Sequence, residues 1–193
     1  MSEAESGEEN LSEVISDVED TIDDFLSILY DRLEARKLER VLSDENETIT
    51  SSDVRQRPEA FVEDELLWDL LADLGLERDI RPYGEGGGRG EWPDFEITNL
   101  SEPVLGEAKS LNGIENGVRD AREYLDRKSL GPDFALATDG FEWSLLKIEQ
   151  SGDSTSFPEL NRIDLRPVFQ QIARDRGYIG QSTLDPEDIE EHL

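Results

Sequence analysis

The middle of the chain switches between two hydrophobic periods in a fixed order, and that order limits the folds open to it. In 61–76, Leu66, Leu67, Leu70, Leu71 and Leu74 share one helical face, closed by Gly75 as a C-terminal stop. A short strand near Ile80 and the Gly-rich loop 84–90 come next. Two strand-like runs, 92–98 and 103–109, are joined by the polar turn 99–102 and predict a hairpin. A helix over 113–128 follows, then strands over 133–138 and 142–148 about the turn Asp139-Gly140, and a helix over 164–177 with Pro167 in its first turn. This order predicts an α/β domain whose central mixed sheet of four to five strands is flanked by helices.

Ahead of that domain, Leu11, Ile15, Val18, Ile22, Phe25, Leu29 and Leu33 recur at steps of three and four, which predicts a long amphipathic helix. Packing on its own domain is favoured over self-association through 11–33, because about three heptads are few for a coiled coil. The expected organisation is an acidic disordered tail 1–10, the amphipathic helix 11–42, a Ser/Thr/Asp/Glu-rich linker 43–58 ending at Pro58, the domain 59–150, and a C-terminal helical extension 151–193.

Charge and rare residues exclude several function classes. The chain has 193 residues with 48 acidic against 19 basic, a net charge of −29. Such a charge repels itself in dilute buffer and is relieved by salt, whose screening length is about 3 Å at 1 M. Lysines are scarce, namely Lys37, Lys109, Lys128 and Lys147, and the composition resembles that of proteins from halophilic archaea. With no cysteine, thiolate metal sites and disulfides are excluded; with His192 as its one histidine, a His-rich zinc site is excluded as well. No apolar run approaches the roughly 20 residues that cross a bilayer, and the acidic N-terminus lacks a signal-peptide pattern, so a cytoplasmic protein is expected.

The chemistry is concentrated in Pro93-Asp94-Phe95-Glu96-Ile97 and Glu107-Ala108-Lys109. Side chains of a strand alternate faces, so Glu107 and Lys109 point together while Ala108 points into the packing. If the two runs pair as a hairpin, Asp94 and Glu107 converge. Two carboxylates with few other ligands suit Mg2+, with Mn2+ as a substitute, because magnesium keeps waters and phosphate oxygens in its octahedron. Lys109 beside them is placed to orient a water or to stabilise charge developing on a phosphate.

The Pro-Asp, strand, Glu-Ala-Lys pattern resembles the PD-(D/E)XK nuclease superfamily. The stretch 59–148, from the acidic helix with Glu63 to Thr138-Asp139-Gly140-Phe141-Glu142-Trp143, is similar to the N-terminal nuclease domains of type I and type IIG restriction enzymes. The resemblance implies a restriction-endonuclease-like core and phosphodiester hydrolysis, DNA being the leading substrate. It implies Asp94 and Glu107 as metal ligands, Lys109 as the catalytic lysine, and Glu63 as a helix acid supporting a metal or its waters. The run 138–143 reads as a tight turn with a buried indole that serves the fold.

Two departures from that pattern bear on activity. Relatives carry Gln-Ala-x-x-Tyr in the helix after the catalytic strand, whereas this chain has Asp120-Ala121-Arg122-Glu123-Tyr124. It also lacks an Asn-Pro-Pro-Tyr methylation motif and a Gly-x-x-x-x-Gly-Lys phosphate loop, so target selection is expected to come from a methyltransferase or specificity partner. Arg81 and Arg89 about the Gly-rich loop, and Arg119, Arg122 and Lys128 on the following helix, are the candidate nucleic-acid contacts on an otherwise acidic body. Two rival readings are a nuclease-fold subunit that binds DNA or a partner without cutting, and an acidic mimic of DNA.

Overall fold

The computed structural model describes residues 3–44, 46–82, 92–127, 130–152 and 154–180, with the backbone alone for 3–10. Helix α1 spans Glu3–Arg32, so residues 3–10 belong to the helix and not to a separate tail. The acidic residues of its first turns suit the positive end of the helix dipole, a signal that a composition-based reading takes for disorder. From Ile22 on, its apolar stripe is consumed inside the chain: Ile22, Phe25, Leu26, Leu29 and Leu33 are buried, while Leu11 and Ile15 stay exposed. The part of the stripe proposed for self-association between 22 and 33 is therefore core. The helix stops at Arg32 and a second one, α2, runs Ala35–Ser43 with Leu38, Val41 and Leu42 buried, where one unbroken helix to residue 42 was expected.

The stretch expected to be a linker is also folded. Thr50 and Asp53 form a capping box that starts α3 (Ser51–Val54), and Ile49 and Val54 are buried in the core. The Thr48 hydroxyl donates to the Leu111 carbonyl at 2.7 Å and pins this segment to the sheet domain. The Ser/Thr/Asp signal that suggested a linker is here the signal of a helix start.

Pro58 opens α4 (Pro58–Val62), which continues through a π-helical turn, Glu63–Leu67, into α5 (Trp68–Asp73). Gly75 leaves the helix at φ +69°, as the sequence predicted for a C-terminal stop. The strands that follow are β1 (Arg78–Ile80), β2 (Phe95–Ile97) and β3 (Val104–Ala108). Helix α6 (Ile114–Asp126) then leads to β4 (Phe134–Thr138) and β5 (Glu142–Lys147). A small ribbon of β6 (Glu149–Ser151) and β7 (Ser154–Ser156) precedes β8 (Glu159–Asp164) and α7 (Arg166–Asp175).

The main sheet has six strands in the order β1-β2-β3-β4-β5-β8, one more than expected. Only the β3–β4 pair is parallel, with α6 as its crossover; the other pairs are antiparallel, so the sheet is mixed. The additional strand is β8, an edge strand exposed at all six positions, whose polar sequence gave no alternating pattern to read. Residues after 150 thus contribute a strand to the sheet as well as a helix.

Helices cover both faces. On one side α6 sets Ile114, Val118, Ala121 and Tyr124 against Leu105, Ala135, Ala137 and Leu146. On the other, Leu67 and Leu71 meet Phe95, Val104 and Ala108. Beyond them Phe25 contacts both Phe61 and Phe169, so α1, α4 and α7 share one core. Each buried phenylalanine there contributes about 1.5–3 kcal/mol of transfer free energy. Gly106 belongs to this packing: a Cβ at that position would lie 2.2 Å from the Phe95 ring, so only glycine lets β2 close on β3. Among the described residues no helix is long and apolar enough to cross a membrane.

Candidate active site

The β2–β3 hairpin brings the two sequence motifs together. Asp94 immediately precedes β2, and its backbone is tied on both sides, its N–H donating to the Gly106 carbonyl at 2.9 Å and its carbonyl accepting from the Arg81 N–H at 2.8 Å. Its side-chain Oδ2 accepts from the Ala108 N–H at 3.0 Å, which lays the carboxylate along the end of β3 next to Glu107. Ala108 is 1% exposed and packs under the sheet, so Glu107 and Lys109 emerge together on the α6 side, as strand alternation requires.

Glu107 is 3% exposed. Its Oε2 accepts from the Tyr124 hydroxyl at 2.8 Å, and its Oε1 pairs with the Lys109 ammonium. Lys109 in turn lies 2.9 Å from Oδ2 of Asp120. The other oxygen of Asp120 accepts from Nε and Nη2 of Arg119 at 3.1 and 3.0 Å. A chain of alternating charge therefore runs from Glu107 inside the site to Arg119 at the surface.

The electrostatics follow from burial. Desolvation, followed by the charge of Asp94, pushes the Glu107 carboxyl up to about 8 against the pull of Lys109. Asp94 is raised as well, again chiefly by burial. Glu63, 6% exposed at the start of the π turn, is pushed up to about 7 by burial and then by the Asp94 charge, with Arg81 and Arg57 opposing. Burial works against a charged Lys109, but Glu107 and Asp120 outweigh it and hold the ammonium above its ordinary value. Burial and Glu107 together raise the Tyr124 phenol, which keeps it a donor. Several desolvated carboxylates thus lie within one another's field with Lys109 among them, an arrangement that favours a cation.

Glu63, Asp94, Glu107 and Lys109 therefore share one electrostatic neighbourhood: Lys109 pairs with Glu107, and the Asp94 charge acts on both Glu107 and Glu63. The basic residues expected as nucleic-acid contacts are less uniform. Arg81 is exposed beside Asp94 at φ +50° and Arg122 is exposed on α6, whereas Arg119 is engaged by Asp120 and Asn116. Arg89 and Lys128 lie outside the described residues. Two partners went unassigned from sequence: Tyr124, visible only as the last residue of the Asp-Ala-x-x-Tyr stretch, and Asp120, noted as a departure but not as a partner of Lys109. Among the described residues no group of three or more His, Cys, Asp or Glu is arranged to hold a metal ion. A cation here would rest on the pair Asp94 and Glu107, with water or substrate completing its shell.

The turn expected within 138–143 forms at 139–141, between β4 and β5. Gly140 adopts φ +90°, and the buried Asp139 carboxylate accepts from the N–H groups of Ile114, Phe141 and Glu142 at 3.1, 3.0 and 2.8 Å. It joins the start of α6 to the β4–β5 connection. The indole expected to be buried is only half-buried: Trp143 lies on β5 beside the exposed edge strand β8, and its Nε1 has no hydrogen-bond partner among the described residues.

Fold and site together define an α/β protein with a carboxylate–lysine site at the end of a central hairpin, and part of its sequence is similar to a restriction enzyme and methyltransferase. A candidate type II restriction enzyme and methyltransferase of Methanocaldococcus jannaschii is 28% identical over 127 residues, covering 63% of this chain and 10% of that protein. The chain thus spans a small part of the relative's length. No family model matches the sequence, and no solved structure matches it.

Proposed function

We propose that the chain is a metal-dependent endonuclease domain of the PD-(D/E)XK type, hydrolysing phosphodiester bonds of DNA in a restriction or defence setting. The observation that carries the reading is the convergence of a half-buried carboxylate, Asp94, and a buried one, Glu107, with Lys109 at one end of the β2–β3 hairpin. The donor set fits a magnesium ion: oxygen donors only, both raised chiefly by burial, with Glu107 raised further by the Asp94 charge, which a divalent cation would offset. Bound there, Mg2+ would supply Lewis-acid polarisation of the scissile phosphate and a bound water of lowered pKa.

The chain's own residues do the rest. Asp94 is fixed by three backbone contacts through its N–H, its carbonyl and its carboxylate, so it presents an oxygen without loss of side-chain freedom at the moment of binding. Tyr124 holds one oxygen of Glu107 and leaves the other toward the site. Lys109, kept charged by its neighbours, stabilises negative charge developing on the phosphoryl oxygens. Glu63 lies within the field of Asp94, which raises its cost of ionisation, and serves as acceptor for waters around the cation. The resemblance to a restriction enzyme and methyltransferase supports DNA as the substrate and a methyltransferase or specificity module as the partner.

The second reading, a nuclease-fold subunit that binds DNA or a partner without cutting, draws on Asp120. It neutralises Lys109 where relatives present an uncharged glutamine. One experiment separates the two. Mg2+ and Mn2+ are titrated calorimetrically in molar KCl into wild type and Asp94→Asn, with plasmid nicking followed on the same samples. The nuclease reading expects binding and nicking in wild type and loss of both in the variant; cation binding without any nicking would favour the subunit, and no binding would remove the metal-dependent reading.

A further inference from the structure

Lys109 is shared by two carboxylates that differ in what else they do. Glu107 is buried, coupled to Asp94, and on the proposed reading takes part in holding a cation. Asp120 lies outside that pair, on the outer flank of Lys109, with a side chain 19% exposed and its second oxygen fixed by Arg119. The ammonium touches both at once.

We propose that Asp120 is a positioning residue that retains Lys109 when a divalent cation takes over Glu107. The inference rests on the nuclease reading above. A cation on Asp94 and Glu107 competes with the ammonium for the same Glu107 oxygen and repels it at short range. If Glu107 were the only partner, cation binding would leave an ammonium with a side chain 15% exposed and no counter-charge, a costly state. Asp120, already 2.9 Å away, keeps the ion pair as the lysine gives up Glu107. Arg119 prevents Asp120 from swinging off, and Gly117 leaves the lysine stem room, since a Cβ there would come within 3.3 Å of Lys109 Cγ. An amide at position 120 would accept a hydrogen bond but would not offset the charge, so the acid is the part of the departure from Gln-Ala-x-x-Tyr that matters.

The test is a double-mutant cycle on the full chain, read by calorimetric titration of Mn2+ in molar KCl at one pH. The proteins are wild type, Asp120→Asn, Lys109→Met and the double variant; Asp120→Gln serves as a second neutral substitution and Asp120→Glu as the conservative rescue. Coupling through Lys109 predicts that Asp120→Asn weakens Mn2+ binding roughly tenfold, within the range of interaction energies seen for contacting residues. In the Lys109→Met background the same change should move Kd by less than about twofold, because the competitor for Glu107 is gone. Asp120→Glu should restore most of the affinity. Equal losses in both backgrounds would mean that Asp120 acts only through its field, and no loss in either would mean that Lys109 needs no second partner; both outcomes overturn the inference while leaving the nuclease reading standing. Absence of Mn2+ binding to wild type would overturn the two together.

Discussion

Two buried acidic sites lie side by side at the same end of the parallel strands β3 and β4, and they have opposite characters. Asp139, just past β4, is completely buried and spends its oxygens on three backbone N–H groups. Glu107, next to the last residue of β3, is almost as buried but meets only side chains: a phenol, an ammonium and the field of a second carboxylate. The strands themselves are in register there, Ala108 opposite Thr138, and the Lys109 N–H donates to the Thr138 carbonyl at 2.8 Å. A carboxylate saturated by backbone donors is architecture, since its partners cannot exchange. A carboxylate held by groups that can move or be displaced retains capacity for a ligand.

The largest effect that tests this contrast is on cleavage. Lys109→Met removes the ammonium that pairs with Glu107 and should lower plasmid nicking by about 10²–10³-fold, the range for loss of a single preorganised charge stabiliser. Circular dichroism and melting temperature should stay near those of wild type. Nicking retained within a few-fold would take Lys109 out of the chemistry; a collapsed melting transition would make the site architectural like its neighbour.

Asp139→Ala should do the reverse. It strands three N–H groups, of Ile114, Phe141 and Glu142, at the joint between α6 and the β4–β5 turn. At about 1–3 kcal/mol for each buried donor left without an acceptor, a loss of about 3 kcal/mol or more is expected. That corresponds to a fall of roughly 10 °C in melting temperature for a chain of this size. Thermal melts in molar KCl check it, and a fall of a degree or two would show that water or a local shift replaces the carboxylate.

The contrast also explains what the sequence disclosed. The hairpin and its two motifs were legible because strand alternation alone puts Glu107 and Lys109 on one side and Ala108 on the other, and because β2 and β3 follow one another. The long helix was legible from its stripe, but its partners were not: that Phe25 meets both Phe61 and Phe169 is a long-range fact that no local period contains. The edge strand β8 was missed because an exposed strand needs no apolar alternation. Position 120 stood out as an acid in place of an amide, but its contact with Lys109 arises from α6 crossing over β3 and β4, which the residue pattern within the helix does not encode. Ser/Thr/Asp-rich residues 43–58 misled for a different reason, since the same residues mark loops and helix caps.

The smallest effect expected is a gain in stability from damaging the proposed site. Glu107 holds its proton more tightly folded than unfolded, its pKa being raised from 4.5 to about 8, mainly by burial and then by Asp94. Below about 4.5 both states are protonated and the group contributes its full stability. As pH rises through about 8 the folded carboxyl must also ionise, and that contribution is lost. Glu107→Gln keeps the shape and an acceptor for Tyr124 but never ionises. In EDTA the variant should therefore melt a few degrees above wild type near pH 8 and match it near pH 5. Added Mg2+ should reverse the order at the higher pH, because a ligand bound only by the folded wild type raises its melting temperature while the variant gains nothing. Had Glu107 been satisfied as Asp139 is, the substitution would destabilise at every pH and Mg2+ would leave both proteins unchanged; that pair of results would remove the distinction between the two acids.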